Sequence, residues 1–436
     1  MSSALGLLGL TLGAVLLLGG LVRPAWALAA VALLFPLEQV ISSLLPFFAA
    51  YSKVFNFAVG ITALISVCTS FARGEAPLRG YFSVTAVASL ALYMLATVSL
   101  LWSPQPHPVA EMLGIYVPPV ILGLVVAPLL PRNLDDYREF AKVMLVFGTI
   151  ICLLVLVNPT QKNVWGRLML EIAGGTSNPL ALSELGGSLL IIGAFLMPTG
   201  LVGRTFWTVV RAAAALLGTA LLFAASARGQ VFSALGAIFI FWPMARKIRS
   251  VGQFLGIGLL AGLLGGLGML GLQLFFVSGS ERRWDPARIL TDILGRFDAV
   301  ATLLSTWLRT PMSWFFGLGN GAYETIDPTL PYVHNTPVEC LGELGLAGGA
   351  LYSIAFVGMI IACRNLWRAW RHDPSMRWVA ALIAAMLFDM FVLSLKQGQL
   401  WGSYKFFMYG IIAVRLSKID IPEELPPETG VPPTHS

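Results

Sequence analysis

Charge is scarce in this chain. Asp, Glu, Lys and Arg make up 11% of 436 residues, hydrophobic residues 57%, and the mean hydropathy is +0.80. That balance excludes a soluble globular protein. Cysteine is as rare: Cys68, Cys152, Cys340 and Cys363 fall mostly inside apolar runs and show no metal spacing. They read as buried small hydrophobes, which argues against a disulfide framework. No His/Cys/carboxylate spacing indicates a metal, no Gly-rich nucleotide loop follows a strand, and no serine elbow is present. No cofactor is therefore expected. The alternating strands of a membrane barrel are missing too.

What remains is apolar runs of about twenty residues, each long enough to cross a hydrocarbon core of roughly 30 Å. Twelve to thirteen can be counted, predicting an all-α polytopic membrane protein. The first run, Leu5 to Val22, lacks a basic n-region and reads as a span, not a cleaved signal. The second, Ala25 to Tyr51, contains Pro36, Glu38 and Pro46 and is expected to be broken or re-entrant. The tenth, Phe254 to Val277, precedes a polar segment of about sixty residues. Three divisions follow: N-terminal spans over 1–157, a core over 158–415 containing the long loop 278–336, and a polar tail over 416–436. The net charge of +6 does not point to nucleic acid, because the basic residues gather in short loops and report orientation. Loops at 73–79, 132–142, 204–211, 246–249 and 364–377 are mutually consistent as cytoplasmic. The loops between them, including 278–336, then face the periplasm of a Gram-negative cell. The N-terminus remains unassigned to either side.

The stretch Gly317 to Gly349 carries the clearest local signals. Thr336, Pro337 and Glu339 read as N-cap, first helical residue and capping-box partner. His334 then lies just before a helix N-terminus, where free N–H groups favour an anion. Glu339 and Glu343 share one helix face; capping is the favoured reading of Glu339 over catalysis, and Glu343 has no such explanation. Gly345, Gly348 and Gly349 read as close helix packing. Arg167, Arg228, Arg282, Arg283, Arg288, Arg296 and Arg309 lie on the side where positive charge is disfavoured. Arg228, in the turn Ser226-Ala-Arg-Gly-Gln230, can pair with a carboxylate, snorkel, or bind phosphate bidentately. Should Arg167, Arg228 and a loop arginine converge with His334, the cluster would suit a diphosphate. Asp389, inside the apolar run Ala381 to Leu395, has two readings: a functional acid partnered by an arginine, or a structural pair. An enzyme without ATP or NAD needs a donor already activated, and at this face that points to a lipid-linked diphosphate.

Gly295-Arg296, Trp307, Pro311, Gly317-Leu-Gly-Asn-Gly321, Val333-His-Asn335 and Glu343-Leu-Gly345, in that order, resemble the O-antigen ligase and polymerase superfamily. The Ser226-Ala-Arg228 turn is similar to that family's Ser-Arg junction with an alanine inserted, and Arg167 with Asn178-Pro179 resembles its earlier arginine and Asn-Pro pair. The likeness runs from about residue 160 to 365; the first 150 residues match only as spans. It implies a metal-independent membrane glycosyltransferase of the C type, in the bacterial inner membrane. Such an enzyme moves a glycan from undecaprenyl diphosphate to an acceptor hydroxyl, lipid A–core or another glycan, with inversion. His334, Arg228 and Arg296 would be catalytic, with Arg167, Arg282, Arg288, Asn335, Glu339 and Glu343 binding substrate. His334 has the unperturbed pKa of a general base, or would hold the diphosphate as a cation. Ligase and polymerase share these residues. A transporter is the reading from another class, opposed by the absence of an internal repeat and by polar residues gathering at one rim.

Overall fold

The computed structural model describes residues 2–250 and 285–419, except 76, 106, 165–166, 173–174, 198–200, 247–249, 331 and 397–398, with isolated positions between 252 and 266. In chain order the helices are α1 (Ser2–Val22), α2 (Pro24–Leu44), α3 (Pro46–Ala50), α4 (Ser52–Ala72), α5 (Val84–Ser99), α6 (Val109–Ile121), α7 (Leu134–Leu156) and α8 (Pro179–Phe195). There follow α9 (Leu201–Ala224), α10 (Arg228–Arg246), α11 (Pro286–Arg309), α12 (Tyr323–Ile326), α13 (Thr336–Trp370), α14 (Arg377–Ser394) and α15 (Tyr404–Ile419). Eight described helices are long and apolar enough to cross a membrane, and α5 and α8 are shorter apolar helices. The expected span Phe254 to Val277 lies largely outside the described residues, as do Arg282, Arg283 and residues 420–436 of the tail.

The expected break in the second region is present. Pro46 has no N–H to donate and holds Leu45 extended (φ −123°, ψ 112°), so α2 stops and α3 begins a new direction. The chain is not purely helical. Between α7 and α8, strands β1 (Gln161–Val164), β2 (Arg167–Ile172) and β3 (Gly175–Thr176) pair antiparallel, with Val164 opposite Arg167.

One hydrophobic core runs from Leu12 to Leu416 and takes residues from both sides of residue 157, so the N-terminal helices have no core of their own. α2 and α14 are its most enclosed spans, while α1, α4 and α9 turn Leu18, Phe57, Ile61 and Leu216 outward, as a lipid-facing perimeter requires. α8 and α9 approach through Gly186 and Gly218; a Cβ on either would come within 2.6 or 2.9 Å of the other's carbonyl oxygen. At one end of the bundle the buried Arg415 donates to the carbonyls of Arg79, Pro128 and Pro131. There too Arg132 clamps Asp136 at 2.7 Å and Glu75 at 2.6 Å, joining two of the basic loops.

The long polar segment contains α11, started by Asp285, whose carboxylate accepts from Ala287 N–H at 3.1 Å. Its apolar residues divide between two faces. Ala299, Leu303 and Trp307 are buried, whereas Leu290, Leu294 and Phe297 are exposed. A helix with one apolar face packed on protein and another left open suits the interfacial zone of a bilayer.

α13 is interrupted at Gly345 (φ 68°, ψ −164°), a conformation open to glycine alone. The segment Trp314–Gly319 fills the gap. Leu318 and Gly319 N–H donate to the carbonyls of Gly342 and Glu343 (3.1 and 2.8 Å), and Leu346 and Ala347 N–H donate to Trp314 and Phe315 (2.9 and 3.1 Å). These are the groups that an unbroken helix would have paired with each other. Gly345 therefore serves a backbone break, not the helix packing expected of it, and a Cβ there would overlap Phe315 O. Gly345→Ala is expected to destabilise the protein by at least the roughly 1–3 kcal/mol of the strained backbone. A lower melting temperature in detergent, with faster proteolysis near residue 316, would be the signature; unchanged melting would refute the splice.

Candidate active site

The splice at Gly345 fixes the floor of a polar site. Glu343, buried, accepts from Gly321 N–H at 2.7 Å and Tyr323 N–H at 3.0 Å, pulling the Gly-Leu-Gly-Asn-Gly loop onto α13. Asn320 completes that anchor. Its N–H donates to Ser99 Oγ (3.0 Å) and its Oδ1 accepts from Trp401 Nε1 (2.6 Å). The capping box expected at Thr336 does not form. Asn335 is the N-cap, accepting from Val338 N–H at 3.2 Å, while Thr336 Oγ1 is 2.8 Å from Ser403 Oγ. Glu339 receives Leu400 N–H at 2.9 and 3.0 Å, reaching another segment instead of its own helix end. The carboxylates of Glu339 and Glu343 and the amide oxygen of Asn335 are thus engaged by backbone amides. They hold the frame, a different task from the substrate contact expected of them.

Above this floor the arginines come together. Arg167 opens β2, Arg228 opens α10, and Arg296 lies on α11 one turn beyond Asp292. Asp292 forms an ion pair with Arg228. The Arg167 guanidinium is pushed down from its ordinary value by burial first and then by the charge of Arg228, with Arg296 adding to it and Asp292 opposing. Arg296 is lowered for the same reasons, burial again leading. Among the described residues, Arg167 Nε and Arg228 Nη1 are buried without a hydrogen-bond partner. Guanidinium nitrogens left in this state are costly unless an acceptor joins them.

His334 belongs to the same cluster. Its ring meets Tyr332 edge-on at 4.3 Å, and its Nδ1 is buried with no partner among the described residues. Burial, then the charges of Arg296 and Lys396, bring its pKa down to about 4. The value near 6.5 expected for an unperturbed imidazole does not apply, and the ring is neutral at neutral pH. Its backbone is unusual as well. Among the described residues, Ser226 (φ 49°) and His334 (φ 61°) are the non-glycine residues with positive φ, and both flank the arginine cluster. Such strain persists where surrounding structure over-determines it, most often at functional sites.

Other expectations resolve differently. Arg288 is exposed and shares no ion pair with the cluster among the described residues. Among the described residues, Asp389 has no arginine partner. It lies against the Ser233 hydroxyl, within the field of Glu184, and Glu184 itself pairs with Lys405 at 2.5 Å. Glu184 and Lys405 were not distinguished in the sequence, although each sits in an apolar run. Asp292, Tyr332 and Lys396 were also missed as site residues. The i, i+4 spacing of Asp292 and Arg296 was the one available signal.

Comparison with known protein families and with curated proteins finds no match to this chain.

The cluster dictates how His334 titrates. In labelled protein the imidazole resonance should move near pH 4, well below the usual 6.5, and Arg296→Gln should raise that midpoint. A wild-type midpoint near 6.5 would mean that neither burial nor the charge of Arg296 bears on the ring.

Proposed function

We propose that the protein is a membrane glycosyltransferase that moves a glycan from undecaprenyl diphosphate to an acceptor hydroxyl. One observation carries the reading: Arg167, Arg228 and Arg296 lie in one another's field, Arg296 also bears on His334, and buried nitrogens of Arg167, Arg228 and His334 lack partners among the described residues. Guanidinium forks in a site sheltered from water are suited to a diphosphate, and more so as its charge grows on departure. The acceptor oxygen bonds to the anomeric carbon as the bond from that carbon to the diphosphate oxygen breaks. The acceptor proton passes to His334. One displacement inverts the anomeric centre. A ring that is neutral before the donor arrives can accept that proton, and the incoming anion offsets the arginine charge that weakens it as a base.

The basic loops joined through Arg132 and Arg415 would face the cytoplasm, leaving the arginine cluster at the periplasmic rim of a bacterial inner membrane. The acceptor would be the terminal sugar of lipid A–core or a similar glycan.

The test uses purified protein and a defined undecaprenyl-diphosphate oligosaccharide, with and without lipid A–core. Product is expected only when the acceptor is added. His334→Ala and Arg228→Ala should each lower kcat/KM by about a hundredfold or more. A ladder from donor alone would make the enzyme a polymerase, and no transfer to any acceptor would sink the reading.

A further inference from the structure

We infer that Lys396 is a fourth cation of the donor site, binding the diphosphate from the turn after α14, and that Gly229 is the residue that admits it. The inference rests on the glycosyltransferase reading and extends it to two residues outside the motifs that prompted it. Lys396 N–H donates to Leu393 O at 3.0 Å, closing α14 and directing the side chain back across the bundle. That side chain lies over the first turn of α10. A Cβ at Gly229 would overlap Lys396 Cδ, Cε and Nζ together, so no other residue leaves the ammonium its place. Gly229 is the immediate neighbour of Arg228, and the Lys396 charge reaches His334. One ammonium is thereby set between the two groups assigned to the diphosphate and to the acceptor proton.

Lys396 brings a further positive charge to this helix start. A cation at a helix N-terminus opposes the helix dipole. Here it also adds to Arg167, Arg228 and Arg296. A dianionic ligand reverses each of these terms, because it satisfies the helix end and the cations at once. Lysine suits this position. Its point charge has three rotatable donors and can follow a phosphate whose geometry the planar guanidinium forks have set. A single monoanionic phosphate would use the forks alone; a diphosphate has a second phosphate for the ammonium.

The experiment measures binding of undecaprenyl diphosphate and of uncharged undecaprenol to the full-length protein in detergent. Wild type should prefer the diphosphate. Lys396→Met is expected to lose about tenfold in diphosphate affinity, with undecaprenol affinity unchanged and the melting temperature not lowered. Gly229→Ala retains every charge and meets only the movable end of a side chain, so it should fold, displace Lys396 and reproduce the loss. The double variant should bind no more weakly than either single one. Wild-type diphosphate affinity in Lys396→Met would overturn the role of Lys396 while leaving the glycosyltransferase reading intact. Losses that multiply in the double variant would overturn the link to Gly229. Wild type that fails to prefer diphosphate over undecaprenol would overturn both.

Discussion

The exchange of hydrogen bonds at Gly345 is the constraint on which the site depends. A membrane helix cannot be broken without leaving amides and carbonyls unpaired in a medium that supplies no substitutes. Here a loop segment takes over the interrupted pairing, so the break and the loop stabilise each other. Glu343 then fastens the next residues of that loop through two backbone amides. The turn carrying Tyr332 and His334 follows from this fixed base and ends at the helix start capped by Asn335.

On that base the chain gathers Arg167, Arg228 and Arg296 about Asp292, which pairs with Arg228. Arg296, together with Lys396, also bears on His334. Burial makes like charges repel more strongly than they would in water. The arrangement is held by packing around it: Leu303 and Trp307 secure α11, and the β1–β2 hairpin delivers Arg167. Repulsion among these guanidinium groups is the counterpart of affinity for an anion.

The acids and lysine inside the bundle behave differently. Glu184 and Lys405 pair directly, and Asp389 lies beside Ser233. These groups join α8, α10, α14 and α15 through contacts that lipid cannot replace. An ionisable residue in an apolar run is therefore an ambiguous signal, and its neighbours decide its meaning.

Much of this protein was legible in its sequence. Long apolar runs are forced by the thickness of a bilayer, so the membrane class follows from composition and run length. Pro46 announced the break after α2, because a missing N–H acts locally. His334, Arg167, Arg228 and Arg296 stood out as polar residues that topology did not need. The sequence misled where a local pattern had a distant partner. Thr336 and Glu339 fit a capping box, yet they bond to Ser403 and Leu400, more than sixty residues away. Gly345 looked like a packing residue because its positive φ depends on a loop that no window of sequence contains. Lys396 carried no signal, since its importance lies in its nearness to Gly229. The chain alone determined what must lie in lipid and which polar residues were out of place. The tertiary structure decided which of them meet, because contact between segments far apart in sequence is set by packing.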